Sequence, residues 1–184
     1  MKLTNSQNSY GLISILLHWL MAVLIIGLFV VGTIMVDLDY YDPNYHVFPW
    51  WHKSFGLMVV FMLIFRLFWK WKNTQVLRLK SITTLEMKLS KVVHACLYLL
   101  LIICCVSGIL ISTAEGASIE LFNWIEIPAI FSYGATQAEL AGEIHELSTL
   151  ALVVLAGLHC LAALKHHFIN KNDTLRRMLS TKTR

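Results

Sequence analysis

The chain has 184 residues, 57% of them hydrophobic and only 14% charged, against roughly 45–50% and about 25% in an ordinary soluble domain. A mean hydropathy of +0.65 argues against a water-soluble globule, and three prolines and nine glycines argue against disordered or collagen-like chains. The net charge of +4 does not indicate nucleic acid, because the basic residues gather at the ends of apolar runs rather than on a water-exposed face.

Taken in chain order, four apolar runs cover about 12–36, 50–70, 90–113 and 142–166, each able to cross a hydrocarbon core that needs about 20 helical residues. The first far exceeds the apolar stretch of about 7–15 residues in a secretory signal, and no small-residue cleavage site follows Val36, so it is predicted to be an uncleaved spanning helix. The runs lack the period-2 alternation of barrel strands, and lipid leaves backbone polar groups no partners outside the segment, so helices are required. The predicted fold is an all-α, integral membrane four-helix bundle forming one domain over 1–184, with no internal repeat. Between the third and fourth runs, a loop at about 114–141 mixes Gly116, Pro128 and Gly134 with Phe122, Trp124 and Phe131. Its length suggests function or motion, as an aromatic and acidic flap on the membrane surface. Trp19, Trp50, Trp51, Trp69 and Trp71 fall near helix ends, where indoles sit at headgroup level.

Charge sets the expected orientation. Lys2 precedes the first helix; Arg66, Lys70, Lys72, Arg78, Lys80, Lys88 and Lys91 lie between the second and third; Lys165, Lys171, Arg176, Arg177, Lys182 and Arg184 end the fourth and follow it. These are fourteen of the 15 Lys and Arg, and the positive-inside rule puts their side, with both termini, in the cytoplasm. Only Lys53 lies opposite, on the face that holds nine of the 11 acids.

All four cysteines, Cys96, Cys104, Cys105 and Cys160, fall inside predicted helices and read as small buried apolar residues. No C-x-x-C-H is present, so no covalent c-type haem is attached.

Histidines carry the information, because an ionisable side chain in a membrane span is costly and points to function. His18 lies about 9 Å and His159 about 10 Å from the cytoplasmic ends of the first and fourth helices, at a rise of 1.5 Å per residue. His52 and His145 match each other near the outer surface. From His145 to His159 is about 21 Å and only about 40° short of four full turns, so both face one side of their helix. Two imidazoles at one depth, repeated across the bilayer, suit two haems one above the other. Two axial imidazoles leave no open position for oxygen and favour electron transfer. A divalent-metal path would bring carboxylates or thiolates to these depths, and the mid-membrane stretches contain no carboxylate, which also disfavours a proton relay.

The segments I-L-L-H-W-L at His18, W-H-K-S-F-G at His52, V-V-H-A-C-L-Y-L-L at His94, I-H-E at His145 and G-L-H-C-L-A-A-L-K-H-H-F, followed by N-D-T-L-R-R-M, resemble together those of the bacterial cytochrome b561 proteins. The resemblance runs from Ser14 to Met178. Y-Y-D-P-N-Y-H before the second helix and L-I-S-T-A-E-G after the third are closer to a paralogue group than to the founding member. It implies an inner-membrane dihaem cytochrome, with haem b held by His18 and His159 on the cytoplasmic side and by His52 and His145 on the outer side, exchanging electrons with ubiquinone. Anionic propionates need cations or donors: Arg66 and Lys165 are candidates inside, Lys53 outside, although all three also suit snorkelling. His94 sits as deep as His18, and depth leaves it open as ligand, quinone or haem contact, or packed residue. His166 is a candidate quinone or haem contact, its neighbour His167 shares the interfacial end of that helix, and His46 is expected to be exposed.

The implied function is electron transfer between an outer-face partner, which includes a periplasmic redox protein, and the quinone pool. Superoxide oxidation is the alternative associated with the founding branch, yet nine acids on the outer face repel rather than steer an anion. A non-catalytic haem-binding subunit is the remaining reading from another class.

Overall fold

The computed structural model describes residues 2–79, 81–129, 132 and 134–181; Lys80, Phe131, Lys182 and Arg184 of the sequence argument lie outside them. Four helices appear in order: α1 (Leu12–Val36), α2 (Val47–Lys72), α3 (Thr84–Thr113) and α4 (Ala135–Phe168). A two-stranded ribbon of β1 (Ile119–Leu121) and β2 (Ile125–Ile127) precedes α4, and a 3₁₀ turn covers Arg176–Met178. All four helices are long and apolar enough to cross a membrane, and the fold is a four-helix membrane bundle. Its burial pattern is that of a protein solvated by lipid: Val23, Val36 and Leu147 are exposed, while Ile15, Met21, Leu57, Leu101 and Leu152 are buried.

α2 begins three residues earlier than hydropathy predicts, and α3 and α4 begin six and seven residues earlier because their first turns are polar. For α3, Thr83 Oγ1 accepts from the Glu86 amide at 3.2 Å, and the Glu86 carboxylate accepts from the Thr83 amide at 3.0 Å. This reciprocal pair satisfies two otherwise orphaned amides and starts the helix. For α4, the Gly134 carbonyl accepts from Gln137 and Ala138, and the added turns carry Glu139 and Glu143. His145 therefore lies in the third turn of α4 rather than its first.

The predicted flap is also more ordered than a loop. Ile119 pairs with Ile127, Glu120 with Glu126 and Leu121 with Ile125, antiparallel, and the turn holds Phe122 at φ 50 and Asn123 at φ 58. Positive φ suits Asn but is costly for a bulky aromatic residue. α2 restrains it: the fully buried Ser54 hydroxyl donates to the Glu120 carbonyl at 3.1 Å and accepts from the Phe122 amide at 3.2 Å. Phe122 also stacks edge-on against Phe55, with ring centres 5.1 Å apart, and the Trp50 indole donates to Asn123 at 3.1 Å.

The chain packs as two compact units, and every helix contributes to both. One comprises Met1–Ala22, Met62–Leu97 and Val154–Arg184; the other comprises Val23–Phe61 and Tyr98–Val153. In the first, the segment before α1 is tied to the end of α2, with Asn5 bonding Asn73 and Thr74. There the Trp69 indole donates to Ser14 and the Trp19 indole to the Met178 carbonyl.

Candidate functional site

In the second unit, His52 of α2 faces His145 of α4 with ring centres 6.3 Å apart and planes crossed at 77°. Each ring leans on a glycine of the preceding helix. A Cβ on Gly32 of α1 would stand 3.1 Å from His52 Cε1, and one on Gly108 of α3 would stand 3.1 Å from His145 Cε1. Neither site has room for a side chain without displacing an imidazole.

The proton on His145 can be assigned from its partners. Its Nδ1 lies 3.0 Å from the Cys104 carbonyl and 3.2 Å from Ser107 Oγ, while the Ser107 hydroxyl donates to the Ile103 carbonyl at 2.7 Å. Both groups near Nδ1 are thus acceptors, so Nδ1 carries the hydrogen and Nε2 keeps its lone pair. His52 Nδ1 is buried without a hydrogen bond of good geometry, and the Leu28 carbonyl is the acceptor that faces it.

In the first unit, His18 of α1 and His159 of α4 have ring centres 6.4 Å apart and planes at 78°, nearly repeating the other pair. Two more polar groups join them. His94 of α3 lies 5.0 Å from His159, ring centre to ring centre, with Ser90 Oγ 3.4 Å from its Nδ1. Arg66 of α2 donates from Nη2 to His18 Nδ1 at 3.1 Å, since a guanidinium has no acceptor.

These spacings test whether the residues suit an iron between two imidazoles. A metal–imidazole nitrogen bond is about 2 Å, and a ring of bonds near 1.33 Å has its centre about 1.1 Å behind that nitrogen, so rings trans on one metal are about 6.2 Å apart. The pairs His52/His145 and His18/His159 meet that spacing. The His94–His159 spacing is too short for a shared trans iron. Among the described residues, no group of three His, Cys, Asp or Glu encloses a bare metal ion.

The other predicted contacts are scattered. Lys165 is held by Glu86 at 3.3 Å. Lys53 is exposed and lines a cavity of about 580 Å³ with His46, Trp50 and Glu120. His166 Nδ1 is 3.1 Å from Asn170 Nδ2, and His167 lines a separate cavity of about 230 Å³ with Lys171 and Arg176. Cys104 Sγ bonds Ser148 Oγ at 3.1 Å as a buried structural group. Gly32, Gly108 and Ser107 were missed by the sequence reading, although both glycines stand fourteen positions after a histidine, a spacing open to inspection.

Four membrane-length helices presenting two crossed imidazole pairs define a multi-pass membrane protein. The chain belongs to the family described as prokaryotic cytochrome b561, whose profile matches residues 9–181. It is 41% identical over 179 residues to cytochrome b561 homolog 2 of Escherichia coli (strain K12), covering 97% of this chain and 95% of that protein. It is 27% identical over 179 residues to the probable superoxide oxidase CybB of Yersinia pestis, covering 96% and 98%. It is thus a multi-pass bacterial membrane protein that binds haem b.

Proposed function

We propose that the protein is a dihaem b electron conduit of the inner membrane, with both termini cytoplasmic, linking an outer-face donor or acceptor to the quinone pool. The observation that carries this reading is the near-identity of the two imidazole pairs, 6.3 Å at 77° and 6.4 Å at 78°. A haem iron with two axial imidazoles supplies one-electron transfer and no open coordination position. His52 and His145 hold one group, and His18 and His159 the other.

The surrounding residues orient these ligands. His145 keeps its proton on Nδ1 through Cys104 and Ser107, presenting Nε2 to the iron. His18 presents Nε2 in the same way once its proton is on Nδ1, and it then no longer accepts from Arg66. The Arg66 guanidinium then serves as a cation for an anionic propionate at the same site. Lys53 serves the outer group, and Lys165 is a second cation on the cytoplasmic side. His94 and His166 stand as contacts to haem or quinone rather than as ligands.

Superoxide oxidation is the second reading, supported by the Yersinia pestis relative and opposed by the acidic outer face, which repels an anion. A non-catalytic haem subunit is the third. The deciding experiment measures haem per polypeptide, with a reduced-minus-oxidised spectrum, for the wild type and for His18→Ala, His52→Ala, His145→Ala and His159→Ala. Two haems b, one lost in each variant, support the conduit. No haem, or haem insensitive to all four changes, sinks it. Prompt reduction by a quinol or by superoxide then separates the conduit and the oxidase from an inert subunit, which responds to neither.

A further inference from the structure

The hairpins α1–α2 and α3–α4 repeat one spacing. His18 precedes Gly32 by fourteen positions and His94 precedes Gly108 by fourteen; His52 precedes Arg66 by fourteen and His145 precedes His159 by fourteen. The match extends along the first helices, where Ser14, Leu24, Ile26 and Val30 correspond to Ser90, Leu100, Ile102 and Val106 at the same offset. Val30 and Val106 are also alike in exposure, at 48% and 51%, whereas Ser90 and His94 are exposed where Ser14 and His18 are half-buried. Each glycine meets the histidine of its own hairpin at the same 3.1 Å. The intervals differ between glycine and second histidine, where the later hairpin inserts the β1–β2 ribbon and the early turns of α4. The two hairpins therefore correspond in the spacing of these residues.

Under this correspondence His52 and His145 are each other's counterparts, so their pair maps onto itself. The pair His18/His159 maps onto His94 and position 66. The contacts in the first unit follow the same rule: Arg66 meets the histidine of its own hairpin, His18, as His159 meets the histidine of its own, His94.

We propose that Arg66 occupies the position of a fourth imidazole in this cluster, and that its being arginine decides which of two crossing pairs takes iron. His94 is the counterpart of His18 in this mapping, and it is no ligand here because its opposite number, position 66, holds a guanidinium with no lone pair to offer. Arg66 is thus a specificity-determining residue, selecting His18/His159 over His94 with position 66. This inference rests on the reading that His18 and His159 hold a haem.

The test uses the purified full-length membrane protein, with haem per polypeptide and the low-spin ferric spectrum as readouts. The double variant His18→Ala/His159→Ala should fall from two haems to one. Adding Arg66→His should restore the second haem with a bis-imidazole spectrum, and adding His94→Ala as well should remove it again. Failure of Arg66→His to restore it, while the His52/His145 haem is retained as the marker of a folded protein, overturns the inference. Restoration that survives His94→Ala overturns it too. If the triple variant loses both haems, Arg66→His alone decides: it should show a second low-spin species that disappears with His94→Ala, and a single unchanged species refutes the proposal. A double variant that keeps both haems instead overturns the ligand assignment beneath it.

Discussion

The Nδ1 of His145 on α4 lies 3.0 Å from the carbonyl oxygen of Cys104 on α3, and this contact between helices keeps the ring proton on Nδ1 and the lone pair on Nε2. Ser107 adds a second acceptor at 3.2 Å. Ser107→Ala should leave the Cys104 contact and hence the tautomer, but weaken the hold on ring orientation. Loss of such an outer partner costs about 10–100-fold in metal affinity, and with Cys104 intact we expect the lower end. Haem retention against an apo-globin acceptor measures this, and an unchanged off-rate would remove Ser107 from the site.

Gly32→Ala and Gly108→Ala each place a methyl group 3.1 Å from an imidazole carbon. Overpacking of this kind typically costs about 1–3 kcal/mol, and here the ring must yield. The expected result is weakened binding and a shifted spectrum at the His52/His145 site alone. Gly27 and Gly157 have nothing within 4 Å of the added carbon, so the same substitution there should leave haem content intact and stabilise the helix by about 0.5–1 kcal/mol. Equal behaviour of all four variants in haem titration and thermal unfolding would contradict the assigned contacts.

Arg66→Gln removes a positive charge beside His18. A nearby cation favours the reduced, less positive iron, so its loss should lower the midpoint potential of the haem at His18/His159. An effect on the order of 1 kcal/mol is about 40 mV for one electron. Potentiometric titration should show one of two components moving down. A rise, or movement of both, would show that Arg66 acts elsewhere.

Crossed ligand planes have a spectroscopic signature. At 77° and 78°, each axial imidazole interacts chiefly with a different iron d orbital, the two orbitals stay close in energy, and the ferric g-values spread widely. Low-temperature EPR of the oxidised protein should show two strongly anisotropic low-spin signals. Rhombic signals of the parallel-plane kind at either site would mean that the rings turn when iron binds.

Ser54→Ala deprives the Phe122 amide of its acceptor and the Glu120 carbonyl of a donor. An unsatisfied buried group costs about 1–3 kcal/mol, set against a two-stranded ribbon with little stability of its own. Hydrogen exchange at residues 119–127 should accelerate by about tenfold or more, with the helices unaffected. Unchanged exchange would mean that aromatic packing alone holds the ribbon.

The sequence by itself determined the four helices, because a lipid-crossing run of apolar residues has no soluble alternative and no other way to satisfy its backbone. It also determined the fourteen-residue spacing of His145 and His159 along one helix, since helical rise is constant, whereas the position of His145 within α4 moved from the first turn to the third because the helix starts earlier than hydropathy indicates. Where helices begin was less legible: Thr83 and Glu86 start α3 through a local capping pair that hydropathy does not register. Only the tertiary structure decided which of three histidines at one depth stand at iron spacing, because His18, His94 and His159 differ in azimuth between helices, and azimuth is set by packing. It alone brought Gly32 and Gly108 against imidazoles twenty and thirty-seven positions away along the chain. It likewise placed Arg66 beside His18, a contact that depends on how α1 and α2 turn toward each other rather than on any periodicity within either.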